Sequence, residues 1–170
     1  VEIDMSNSHL EEVLPIFQDC VNLTSIVLPQ NLTNFDLKSF EECNIQSFTF
    51  SGTKGTLNLK GTFYQSQIDL CEVIFSPSCN VIMDSTFASC YQLSRVVLPK
   101  TPYELHSTFV NCHNLKEVEN LEFCTLLDNS FFSCEKLTQL NSFPPVKTIG
   151  KQTFMNCKSL ESIPSLSSVE

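Results

Sequence analysis

The feature that most constrains this chain is the phrase Phe-x-x-Cys, written at a nearly fixed period. It occurs at Phe17, Phe40, Phe87, Phe109, Phe131 and Phe154, and in altered form at Phe63, where Ser66 replaces the cysteine. Successive phenylalanines are separated by 23, 23, 24, 22, 22 and 23 residues. A repeat of this length implies a solenoid, in which each unit buries its apolar side only against its neighbours. The expected organisation is one domain over residues 1–170, about seven repeats of 22–24 residues, forming a segment of a longer array. No stretch rich in Gly, Ser or Pro divides it.

A second phrase follows each motif. Its clearest copies are Leu23-Thr-Ser-Ile26-Val-Leu28-Pro29 and Leu93-Ser-Arg-Val96-Val-Leu98-Pro99. Alternation of period two closed by proline reads as a very short strand with one buried and one exposed face. The corresponding strand comes one residue early at Phe48-Thr-Phe50 and one late at Val73-Ile-Phe75, which predicts loop adjustments within an unbroken array. Ile3-Asp-Met5 opens the series and Ser162-Ile163-Pro164 is expected to be its eighth strand. About a dozen residues separate each strand from the next Phe. Prolines at 102, 144 and 145 argue for short turns or 3₁₀ pieces there, not long helices.

Alternation sorts exposed side chains from buried ones. One expected outward column is Glu2, Ser25, Ser47, Glu72, Arg95, Glu117, Gln139 and Ser162. The other is Asp4, Val27, Thr49, Ile74, Val97, Glu119, Asn141 and Pro164. Val27, Ile74 and Val97 put apolar groups on a face that meets water, either through the strand preference of branched residues or as the core of an interface with a polar rim. The candidate partner-binding residues are Ser25, Val27, Ser47, Thr49, Glu72, Ile74, Arg95, Val97, Glu117, Glu119, Gln139 and Asn141.

Charge excludes some partners. With 19 acidic and 10 basic residues the net charge is −9, which disfavours nucleic acid and anionic lipid. No apolar run approaches the length of a membrane helix.

Nine cysteines resemble a disulfide framework until six are recognised as repeat positions, leaving Cys71, Cys79 and Cys124 outside the column. Stacked cysteines with parallel Cβ vectors are poorly placed for relaxed bridges, so the repeat thiols are expected to pack as small hydrophobes. Cys71 and Cys79 could pair across a loop. There is no Cys-x-x-Cys, phosphate-binding loop, Gly-x-Ser-x-Gly or His-Glu-x-x-His, so no enzyme, metal or cofactor is expected.

Leu23, Ile26, Leu28, Pro29, Phe35, Phe40 and Cys43, and again Leu137, Leu140, Ile149, Phe154 and Cys157, form a pattern that resembles the BspA-type leucine-rich repeat. The resemblance covers essentially the whole chain and departs from the pattern at Ser66 and at the two shifted strands. It implies an α/β repeat, mostly β and turns. That is a right-handed solenoid with a parallel sheet of short strands on its concave face, and loops or short 3₁₀ turns on the convex side. It further implies a cell-surface or secreted protein that recognises a host or matrix protein. The alternative is a structural spacer or intracellular scaffold.

Overall fold

Strands form where branched and aromatic side chains recur at every second position and turn inward, and the strand that ends at Leu28 stops before Pro29, which has no amide proton for a ladder. The computed structural model describes residues 1–66 and 69–164, so positions 67–68 and 165–170 of the expected domain lie outside the described residues. In chain order the strands are β1 (Glu2–Asp4), β2 (Ser25–Leu28), β3 (Ser47–Phe50), β4 (Thr56–Asn58) and β5 (Glu72–Phe75). They continue with β6 (Asn80–Asp84), β7 (Arg95–Val97), β8 (Tyr103–His106), β9 (Glu117–Glu119) and β10 (Cys124–Asp128).

Two parallel sheets enclose one core. The first has the order β1-β2-β3-β5-β7-β9 and the second β10-β8-β6-β4. Each strand pairs with its counterpart in the next rung, so the sheets grow along the solenoid axis. The shifted strands return to register, with Phe48 opposite Val73 and Phe50 opposite Phe75. The chain is mostly β and turns, as expected, with 3₁₀ helices at Leu37–Phe40 and Leu121–Phe123. Asp36 starts the first of these by accepting the Lys38 amide at 2.9 Å. The second sheet was not foreseen. It forms where Leu57, Val81, Leu105 and Leu127 alternate with less buried neighbours and enter the shared core.

The phenylalanines of the motif form a ladder inside. Ring centroids are 5.2 Å apart for Phe63–Phe87, 5.7 Å for Phe87–Phe109, 5.5 Å for Phe109–Phe131 and 5.6 Å for Phe131–Phe154. Such pairs contribute roughly 0.5–1.5 kcal/mol each beyond area burial. Between Phe40 and Phe63 the stack is interrupted. Phe35 lies 6.0 Å from Phe40 and 5.7 Å from Phe63, and Phe48 bridges them at 5.1 and 5.4 Å. The early strand at Phe48 is thus compensated by aromatic volume.

The turn that carries each motif is built from left-handed backbone. The residue before the cysteine, or before Ser66 in the third copy, has positive φ throughout: Asp19, Glu42, Gln65, Ser89, Asn111, Ser133 and Asn156. A second left-handed column lies two residues before the Phe, at Gly61, Ser85, Ser107, Asn129 and Gln152. Short polar side chains tolerate this region better than most, which accounts for the frequency of Ser, Asn and Asp there. The turn also links rungs, because Phe87, Phe109 and Phe131 amides donate to the Thr108, Ser130 and Thr153 carbonyls of the next rung, at 2.9–3.0 Å.

Candidate interaction face

Strand register settles which expected surface residues are neighbours. Glu2, Ser25, Ser47, Glu72, Arg95 and Glu117 stand opposite one another in successive rungs. Asp4, Val27, Thr49, Ile74, Val97 and Glu119 form the parallel column beside them. Their inward partners Ile26, Phe48, Val73, Val96 and Val118 are buried. From Ser25 to Val97 the column residues are partly exposed, and Glu117 is exposed.

The last expected members differ. Gln139 and Asn141 are exposed, but the six-stranded ladder ends at β9. Only an isolated bridge joins Gln139 to Ser162, so the eighth strand is reduced to a single pairing. Proline at 144 and 145 and at 164 leaves little backbone free to extend it. Here the face opens into a depression of about 440 Å³ lined by Glu117, Gln139 and Asn141 together with Lys116, Lys136, Thr138 and Ser159.

At the centre of the face, Arg95 holds three carboxylates. Its Nη1 is 2.5 Å from Glu72 Oε1, its Nη2 is 2.6 Å from Glu119 Oε1, and its Nε is 3.5 Å from Glu117 Oε2. The hydrogen bonds to Glu72 and Glu119 raise the guanidinium pKa above its ordinary value, so the charge is fixed. The cluster crosses β5, β7 and β9 and both columns. Sequence reasoning named all four residues without joining them. The signal was available, because Glu72, Arg95 and Glu117 occupy one column in consecutive rungs.

The cysteines are free thiols. Cys43, Cys90, Cys112 and Cys134 are buried and Cys157 is partly so, as expected of core positions. Cys20 departs from that expectation and is exposed. Cys71 and Cys79 are both unbridged, and Cys79 instead donates to the Phe50 carbonyl at 3.4 Å. Burial pushes the Cys79 and Cys124 thiols up to about 11 and Cys90 up to about 12. Protonated thiols are poor nucleophiles and poor metal ligands. Among the described residues no three His, Cys, Asp or Glu are placed to hold a metal ion, and no helix is long and apolar enough to cross a membrane.

A second surface lies on the opposite sheet. Lys60 pairs with Asp84 at 2.6 Å, and His106 lies 3.3 Å from Glu104. Ile82 is exposed beside them, in a shallow depression of about 280 Å³. It lacks the run of apolar positions seen in the first sheet.

Stacked parallel rungs, short strands with a buried Leu/Ile side and a repeating aromatic turn define a leucine-rich-repeat solenoid. The chain belongs to the BspA-type leucine-rich repeat family, whose model matches six copies over residues 15–115 and 60–170. Proteins of this family generally act in protein interaction or at surfaces and are typically non-catalytic. No curated protein matches the chain. Among solved structures, the fold is shared with a leucine-rich repeat protein from Bacteroides ovatus. That match has 24% identity and a TM-score of 0.66, over 94% of this chain and 48% of the other. It is also shared with a leucine rich cell surface protein from Faecalibacterium prausnitzii, at 18% identity and a TM-score of 0.56, over 98% of this chain and 61% of the other. The chain therefore spans less than two thirds of the length of either.

Proposed function

We propose that this chain is a protein-recognition module of a cell-surface or secreted protein, serving adhesion or host interaction, and that it binds through the outward columns of its six-stranded sheet. The observation that carries this reading is the apolar set Val27, Ile74 and Val97, aligned in one column and partly open to water. Polar and acidic residues flank it: Ser25, Ser47, Thr49 and Glu72 beside it, and Arg95, Glu117 and Glu119 toward β9. An apolar centre with a polar rim is the layout of a protein interface. Gln139 and Asn141 extend the polar rim into the adjoining depression. The family and the surface protein among the structural relatives support the cell-surface setting.

The test is a triple variant, V27S/I74S/V97S, compared with the unmodified protein for binding to a panel of immobilised extracellular-matrix proteins. Circular dichroism and thermal unfolding verify the fold. Loss of the bound matrix protein in the variant is expected. Unchanged binding with the fold intact would sink the reading.

A further inference from the structure

We infer that the segment received by this face is cationic: an extended stretch of a partner protein that sets Lys or Arg side chains beside an apolar one. The inference rests on the reading that this face binds a protein, and it adds the chemistry of that protein. Across the two columns of β1 to β9, the carboxylates of Glu2, Asp4, Glu72, Glu117 and Glu119 face a single cation, Arg95. Three carboxylates against one guanidinium leave an excess of two negative charges in the central cluster.

That excess is already oriented. Arg95 engages one oxygen each of Glu72 and Glu119 through separate nitrogens and approaches one of Glu117. Much of the rotamer freedom an incoming cation would otherwise have to remove is therefore gone before it arrives. Ile74 and Val97 lie on the same two rungs as Glu72 and Arg95, so apolar and acidic contacts fall within a span of about 5 Å per rung. An extended segment crossing rungs can meet both.

Other occupants fit less well. A second copy of this chain brings a net charge of −9 to a surface that is itself acidic. Lys116 and Lys136 line the depression beyond β9, so cationic side chains belong over the Arg95 cluster and toward β1 rather than at that end.

The experiment uses the full chain and three fluorescent octapeptides that alternate Val with Lys, Glu or Ser, read by anisotropy. The Lys-Val peptide is expected to bind at least tenfold more tightly than the other two, with affinity falling as salt rises from 0.05 to 0.5 M. The variant E72Q/E117Q/E119Q is expected to lose about tenfold, on the scale of a few exposed ion pairs. Glu12, Glu42 and Glu104, exposed outside the two columns, with Glu104 on the opposite sheet, serve as a charge-matched control, and E12Q/E42Q/E104Q is expected to change little. If the charge variant does not fold, the salt series on the unmodified protein and the Lys-against-Glu comparison still decide. Equal binding of the Glu-Val or Ser-Val peptide, equal losses in the two Gln variants, or no binding by any peptide would overturn the inference. If V27S/I74S/V97S weakens all three peptides alike while the charge variant does not, the cationic inference falls and the face reading stands. Indifference to both sets of substitutions overturns both.

Discussion

The Cys134 thiol donates a hydrogen bond to the carbonyl of Phe109, 3.2 Å away in the preceding rung. The same carbonyl accepts the Cys112 amide of its own rung at 3.1 Å. The relationship recurs for Cys43 and Phe17 at 2.8 Å, Cys90 and Phe63 at 3.1 Å, Cys112 and Phe87 at 3.1 Å, and Cys157 and Phe131 at 3.0 Å. The repeated cysteine is thus more than a small hydrophobe. It uses the second lone pair of a turn carbonyl to tie each rung to the one before.

Cys134→Ala should lower stability by about 1–2 kcal/mol, through a small cavity and a lost thiol donor. Cys134→Ser should cost at least as much. Ser66 occupies the equivalent position in the third copy, and its hydroxyl is buried without an oxygen or nitrogen partner. Urea unfolding of the two variants checks the order, and full recovery by Ser would contradict it.

The converse substitution, Ser66→Cys, should stabilise the protein by about 0.5–1 kcal/mol, by placing a thiol against the Phe40 carbonyl. The Phe40 carbonyl already accepts the Cys43 amide at 3.1 Å, as the other turn carbonyls do. A higher urea midpoint with an unchanged slope is the expected result.

Alkaline pH should weaken the fold. Burial raises the thiol pKa values of Cys79, Cys90 and Cys124 from 9.0 to about 11, 12 and 11, and raises those of Cys112 and Cys134 as well. Below pH 9 both states keep these protons and the contribution to stability is fully present. Above it the unfolded chain releases protons that the folded chain retains, so stability falls with rising pH up to the folded pKa values. The buried Tyr103 phenol, also pushed up, adds the same sign. The urea midpoint in reducing buffer should be lower at pH 10.5 than at pH 8, and Cys90→Ala should flatten the difference.

Much of this architecture was legible because a solenoid writes its geometry once per rung. The Phe period located the rungs, and alternation within Ile26-Val27-Leu28 and its copies placed the inward and outward columns where strand register puts them. The second sheet was less visible. Its strands Leu57 and Leu105 lie in stretches of variable length interrupted by Pro102, where the period-two signal is short. The reduced pairing at Gln139 also escaped notice, since Leu137 and Leu140 keep the repeat spacing while the prolines that follow remove the ladder. The bridging role of Arg95 is readable only when consecutive rungs are laid side by side, where Glu72, Arg95 and Glu117 share one column.

Removing that bridge should have a modest, salt-dependent effect. Arg95→Ala leaves Glu72, Glu117 and Glu119 adjacent without their common cation. The side chains are partly exposed, so the loss should be about 1 kcal/mol at low salt and smaller at high salt. Thermal unfolding at 0.02 and 0.5 M salt measures both. A loss that does not diminish with salt would contradict the electrostatic assignment.

The most direct test of recognition through the six-stranded sheet is site-specific photo-crosslinking to a matrix protein that the chain retains. A photoreactive residue at Thr49, between Val27 and Ile74 on the outward column, is compared with one at Ile82, exposed on the opposite sheet. Covalent capture from position 49 and not from position 82 is the predicted result. Capture from position 82 alone would contradict the account.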